Sequence, residues 1–197
     1  MMTSTREYRR AVLELLPRQG DWSEGDYLWL TDHSNRLIEL TDGYLEVLPT
    51  PTDRHQGIVV FFTRLLLAYL DPRGGVLRFA PLRLRLRERT YREPDLLLLL
   101  DGDDPRRENR YWHGADLVLE VVSPDKPERD LVEKRREYAE AGIPEYWIVN
   151  PLNQTIIVLT LEGTAYDEHG RFRRGMVATS ALLVDFSVAV AAVFDAA

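Results

Sequence analysis

Apolar positions along this chain follow two periods, and the changes of period mark the elements. In RLIELTDGYLEVLP, residues 36 to 49, two apolar-alternating runs flank Thr41-Asp42-Gly43, where Gly43 can take the positive φ of a tight turn; a hairpin is expected, with Glu39 inside its first strand. Residues 54 to 70 change to a helical period, with His55, Val59, Phe62, Leu66 and Tyr69 on one face and Asp53 as the cap. PLRLRLRERTYR then alternates strictly, setting Leu82, Leu84 and Leu86 against Arg83, Arg85, Arg87 and Arg89, as in a half-buried strand. EPDLLLLL and ADLVLEVVSP are apolar without alternation, which suits strands covered on both faces. A charged helix from about residue 128 to 141 stops at Gly142 and Pro144, and the strands EYWIVNP and QTIIVLTLEG follow it. Nearer the start, residues 6 to 16 read as a short helix, and Ser23 with Asp26 reads as a capping box. A hairpin and a short apolar tail close the chain.

Strand, helix, strand over residues 116 to 150 implies a crossover between parallel strands. The expected architecture is α/β, with a mixed central sheet flanked by helices. At 197 residues, 45% of them apolar, the chain fits one domain, residues 1 to 197, whose first 20 residues form a helical extension. No run of about eighteen uncharged apolar residues occurs, and the start lacks the pattern of a secretory signal, so a soluble cytoplasmic protein is expected, with no membrane partner. With no cysteine, disulfides, thiolate metal sites and cysteine nucleophiles are excluded, and any metal must sit on oxygen or histidine. A net charge of -7 argues against binding nucleic acid through a general positive field, although a local basic strip is compatible with it. Of 25 basic residues only Lys126 and Lys134 are lysine, so each surviving lysine is a candidate for a role that arginine cannot fill.

Three charges stand where a fold avoids them. Asp95 opens a doubly buried strand after Pro94, Glu120 interrupts another, and Lys134 shares a helical face with Asp130, Leu131, Tyr138 and Ala141 that should meet the sheet. Buried charges are costly unless paired or bound to an ion, so two carboxylates and an ammonium converging on one sheet edge call for a partner. Asp95 and Glu120 on adjacent strands suit Mg²⁺ or Mn²⁺, which takes a few carboxylates and keeps places for water and phosphate. Lys134 would then neutralise charge at phosphorus, and the set suits phosphodiester hydrolysis.

Pro94-Asp95 followed by Glu120 within the next strand resembles the PD-(D/E)XK nuclease motif. The longer stretches RLIELTDGYLEV, YREPDLLLLL, DLVLEVVSP and DLVEKRREYAEAGIPEYWIVNP resemble one branch of it, the Uma-two family of restriction endonucleases, over roughly residues 20 to 195. The resemblance implies a restriction-endonuclease-like fold, a Mg²⁺-dependent endonuclease acting on DNA, and Asp95, Glu120 and Lys134 as its centre. In the standard motif a lysine stands two residues after the acid, where this chain has Val122; the family places its lysine on the next helix, which Lys134 matches. Glu39 and His55 match further family positions and would complete the metal shell or touch phosphate. Cutting both strands of a duplex suits two-fold symmetry, so a homodimer is expected.

Plainer roles compete with these. Asp95 also fits a strand-end cap, Glu120 a buried ion pair with an arginine, Lys134 an exposed pair with Asp130, His55 a core histidine and Glu39 a cross-hairpin pair. Ser123 has no Gly-x-Ser-x-Gly elbow around it and more simply ends its strand. The arginine ladder from Arg83 to Arg89 reads as a solvated strand face and is also the best candidate for DNA contact. A nuclease fold kept as a catalytically silent binding or assembly module, in a mobile-element or regulatory complex, is the alternative function. EYWIVNP is expected to be scaffold, with Tyr146 and Trp147 holding the helix so that Lys134 faces Glu120.

Overall fold

The structure is a computed structural model that describes residues 16–196. The helix expected over residues 6 to 16 lies outside them apart from Leu16. Helix α1, Glu24–Asp32, starts with the expected capping box: Ser23 Oγ accepts from the Asp26 amide, and the Asp26 carboxylate accepts from Ser23 N. Strands β1, Ile38–Thr41, and β2, Tyr44–Val47, form the hairpin. Asp42 and Gly43 take φ of 50° and 87°, and a Cβ on Gly43 would lie 2.3 Å from the Gly20 carbonyl oxygen, so glycine is required there. Helix α2 is Asp53–Leu70, with Thr52 rather than Asp53 as its cap, since the Thr52 hydroxyl accepts from His55 N.

Strands β3, Val76–Phe79, and β4, Arg83–Arg87, are followed by β5, Thr90–Arg92, β6, Leu96–Leu99, β7, Tyr111–Trp112, and β8, Leu117–Val121. After β8 the chain makes a wide π-turn, Arg129–Glu133, that continues as helix α3, Lys134–Glu140. The regular helix expected from residue 128 is therefore corrected: its first turn is wound with i to i+5 spacing, the Lys134 amide donating to the Arg129 carbonyl. Strands β9, Glu145–Asn150, β10, Thr155–Glu162, and β11, Ala165–Arg173, come next, then β12, Val177–Thr179, β13, Ser187–Ala189, and helix α4, Val190–Asp195.

Six strands form a mixed sheet in the order β11-β10-β9-β8-β6-β3, in which only β8 and β9 run parallel, joined by the π-turn and α3. Its two faces explain the apolar runs. Leu96 and Leu98 point to the side covered by Ile58, Phe62 and Leu66 of α2, while Leu97 and Leu99 point to the side covered by Tyr138 and Ala139 of α3. A second sheet, β2-β1-β5-β4-β7, packs on α1 through Trp22, Tyr27, Leu40 and Tyr91. No helix among the described residues is long and apolar enough to cross a membrane.

EYWIVNP is strand β9, buried along its whole length, but its two aromatic residues part company. Tyr146 holds the π-turn, its hydroxyl donating to the Asp130 carbonyl at 3.0 Å and its ring packing edge-on to Tyr138. Trp147 faces the opposite side, against Phe62 and Phe186, because successive strand residues alternate faces. The arginine ladder also differs from expectation. Arg83 pairs with Asp32 at 2.8 Å, Arg85 with Glu24 at 3.0 Å, and Arg87 with Asp42, so three of its arginines are engaged by carboxylates of α1 and the hairpin turn, the Arg87 pair at the exposed end. Arg89 turns out of the strand with φ 55° and donates to the Gly20 carbonyl.

Candidate active site

Asp95 stands at the head of β6, Glu120 one residue from the end of its neighbour β8, and Lys134 at the point where the π-turn becomes α3. The Lys134 ammonium lies 2.8 Å from Glu120 Oε1, 3.4 Å from Glu39 and 3.4 Å from Asp130, all of these side chains almost wholly buried. The Tyr138 hydroxyl donates to the same Glu120 oxygen at 2.6 Å, and Glu120 Oε2 meets the Asp95 amide at 3.4 Å. Asp95 Oδ2 accepts from the Val121 amide at 2.8 Å and lies 3.1 Å from His55 Nε2 at the start of α2. A carboxylate only accepts, so that ring nitrogen carries the proton. His55 Nδ1 is buried with no hydrogen-bond partner among the described residues.

A second tier backs this cluster. Arg92 donates to Glu39 Oε2 at 2.8 Å and forks onto both oxygens of Glu137 at 2.7 Å, while Glu39 Oε1 accepts from the Glu93 amide at 3.2 Å. Glu39 is thus fully buried with both oxygens engaged, and it does not line the cleft in front of Asp95 and Glu120. Its expected place in a metal shell is corrected to that of a counter-charge for Lys134 and Arg92. His55 does line the cleft, but its facing nitrogen is committed to Asp95.

Six carboxylates, Glu39, Glu93, Asp95, Glu120, Asp130 and Glu137, gather around three permanent cations, Arg92, Arg129 and Lys134, and the excess negative charge governs the titration. Burial pushes Glu120 up, and Asp95, Asp130 and Glu39 add to this against the pull of Lys134, to about 8. Burial would raise Glu39 as well, but Lys134 and Arg92 outweigh it and hold the carboxyl at about 2. Burial alone would neutralise Lys134; Glu120, Glu39 and Asp130 reverse that and keep it charged. Glu93, buried and repelled by Glu39, rises to about 8.

Asp95 and Glu120 share the wall of a cleft of about 250 Å³ with Glu93, Asp130, Lys134 and His55. No group of three or more His, Asp or Glu side chains is gathered in metal-holding geometry among the described residues. A hard divalent ion needs less. The contacts of Asp95 fall on Oδ2 and the close contacts of Glu120 on Oε1, so one oxygen of each remains for a cation that fills its other positions with water and phosphate. The donor set therefore fits Mg²⁺ or Mn²⁺ on two carboxylates.

Arg92 and Glu137 also belong to the site and carry no separate signal in the sequence, whereas Asp130 and Tyr138 lie on the helical face that the sequence assigns to Lys134. Two carboxylates at one edge of a mixed sheet, Asp95 at the head of β6 and Glu120 near the end of its antiparallel neighbour β8, with an ammonium supplied from the crossover helix, are the features of a nuclease-fold protein. The crystal structure of a "putative nuclease belonging to DUF820" from Anabaena variabilis superposes with a TM-score of 0.73, covering 89% of this chain and 98% of that one at 17% identity. The Uma2 family, described as "Putative restriction endonuclease", matches residues 25–191, and the chain belongs to it. None of the curated proteins is significantly similar to it.

Proposed function

We propose that this protein is a metal-dependent DNA endonuclease that hydrolyses phosphodiester bonds at the cleft between Asp95 and Glu120. The observation that carries this reading is the 2.8 Å approach of Lys134 to Glu120. The position that holds the lysine in the standard nuclease motif is Val122, which is buried with Tyr138, Ala139 and Ile143, and the missing charge is supplied from α3 instead.

A bound Mg²⁺ or Mn²⁺ would stabilise charge at phosphorus and acidify a water. The chain's own residues do the rest. His55 and the Val121 amide fix the Asp95 carboxylate by Oδ2, which leaves Oδ1 to take the ion. Tyr138 and Lys134 together hold Glu120 Oε1 and so orient Oε2. The Lys134 ammonium, kept charged by its carboxylates, adds positive potential beside the scissile phosphate in a site that excludes most solvent. Glu39, Arg92 and Glu137 form the chain of ion pairs that keeps the ammonium in place.

Nicking of supercoiled DNA tests the reading. Mn²⁺ should support nicking by the wild type, and Asp95→Asn, an isosteric change on a partly exposed side chain, should lower the rate about 100-fold or more. Mn²⁺ should also raise the melting temperature of the wild type and leave Asp95→Asn with Glu120→Gln unchanged. Nicking at an undiminished rate in Asp95→Asn removes the assigned carboxylate from the chemistry.

A further inference from the structure

The carboxylate cleft continues at both ends. On one side it shares Pro49, Pro51, His55 and Ser123 with a second cleft of about 330 Å³, whose far wall includes Val122, Pro124 and Leu152 and whose mouth carries Arg54. On the other side it shares Leu37, Leu48, Pro49 and Pro51 with a third, of about 460 Å³, that Asn35 and Arg36 complete. Pro49 and Pro51 line all three clefts, which therefore adjoin one another along this segment and form the groove considered below. Arg54 lines the second cleft and Arg36 the third, so each offers a cation to a phosphate.

We infer that this groove takes an unpaired DNA strand, and that the slot walled by Pro49, Pro51, Val122, Pro124 and Leu152 seats the base next to the phosphate held at Asp95 and Glu120. The inference rests on the nuclease reading above and narrows its substrate. Four arguments support it. Glu120, Asp130 and Lys134 are each 3% exposed, so a phosphate must enter a narrow recess, which a flexible strand does more readily than one held in a helix. Prolines offer no N–H, and with Val122 and Leu152 they make a wall that recognises a base by its apolar face, tolerant of sequence. Putting a base into a slot requires unstacking it, which costs least where the strand is already single. The ladder that would follow a duplex, Arg83, Arg85 and Arg87, is spent on Asp32, Glu24 and Asp42 in a chain of net charge -7.

Fluorescence anisotropy in EDTA separates base recognition from charge. The probes are a 15-mer of thymidylate, a fully abasic 15-mer with the same number of phosphates, and a 15-base-pair duplex. The wild type should bind the thymidylate strand about tenfold more tightly than either of the others, the size of one buried apolar contact. Leu152→Asn, at an exposed position outside the carboxylate cluster, should lose that gain and leave abasic binding unchanged. Equal binding of the abasic strand, a preference for duplex, an equal loss on both strands in Leu152→Asn, or no binding at all overturns the slot. Cleavage with Mn²⁺ is read separately. The expected binding pattern without cleavage of any substrate retains the slot and removes the nuclease reading; duplex cleavage without the binding pattern does the reverse.

Discussion

Replacing Lys134 by methionine tests the electrostatics of the cluster directly. Methionine keeps most of the volume in a fully buried position and removes the one charge that touches Glu120, Glu39 and Asp130. Taking away one partner of a buried ion pair costs about 3–5 kcal/mol. The low end, about 3 kcal/mol, is expected at pH 8, because Glu120 can take up a proton rather than stay an uncompensated anion. At pH 7 Glu120, raised to about 8, is still mostly neutral in the wild type, so the loss there falls on Glu39 and Asp130 and is smaller than at higher pH. The sign follows from linkage. A carboxyl held above its unfolded value adds stability below about pH 4.5 that is lost as pH rises towards the folded value, and removing Lys134 drives Glu120 and Asp130 further in that direction. The variant should therefore fall further behind the wild type as pH rises from about 7 to about 9. In urea or thermal unfolding the difference at pH 8 is about 6–12 °C for a chain of this size. Lys134→Met combined with Glu120→Gln, which keeps a neutral partner for Tyr138, should regain more than half of it. A loss no larger at pH 9 than at pH 7, or a double variant no more stable than the single one at pH 8, would refute this account.

Arg92→Met should cost about 3 kcal/mol, because Glu39 and Glu137 are both left buried without their shared guanidinium, and adding Glu137→Gln should recover part of that in urea unfolding. His55→Ala should lower nicking about 10- to 100-fold through loss of Asp95 orientation, with the Mn²⁺ dependence shifted to higher concentration while the rate at saturation recovers partly. Ser23→Ala, far from the cleft, should cost about 1 kcal/mol of stability through the α1 cap and leave the nicking rate measured below the melting temperature unchanged.

The parts of the site that the sequence reveals are charges set inside apolar runs. Asp95 opens LLLL and Glu120 interrupts LVLEV, where burial is implied by the flanking residues, and Lys134 stands out because arginine fills all but two of the basic positions. Their partners stay hidden for a physical reason. Arg92 ends a strand of three residues, too short to show a period, and Glu137 lies in a run of alternating charges that suits solvent equally well. The arginine ladder shows the converse error. Its alternation is real, but a period of two assigns a face without saying what covers that face, and α1 with the hairpin turn supplies carboxylates to three of its members. Trp147 was placed on the wrong side because EYWIVNP is apolar on both faces, so only packing decides which neighbour each side chain meets.

The π-turn before α3 explains how a helix can stand in for the usual strand position of the lysine. At about 100° per residue in an α-helix, Arg129, Asp130 and Lys134 would spread over an arc of about 140°. A turn of i to i+5 type, with about 4.4 residues per turn, narrows that arc to about 80°. All three side chains are buried, and all three line the same cleft, which an α-helical register could not arrange without turning one of them away. The cost of the irregular turn is offset locally: Tyr146 donates to the Asp130 carbonyl, and exposed Val132, 62% accessible, occupies the outward bulge. Lys134 then reaches Glu120 from across the sheet edge while Val122, relieved of that task, packs under Tyr138 and Ile143 and fastens α3 to β8. Moving the charge from strand to helix thus exchanges one buried lysine position for an apolar contact, and the same contact holds the helix that carries the lysine.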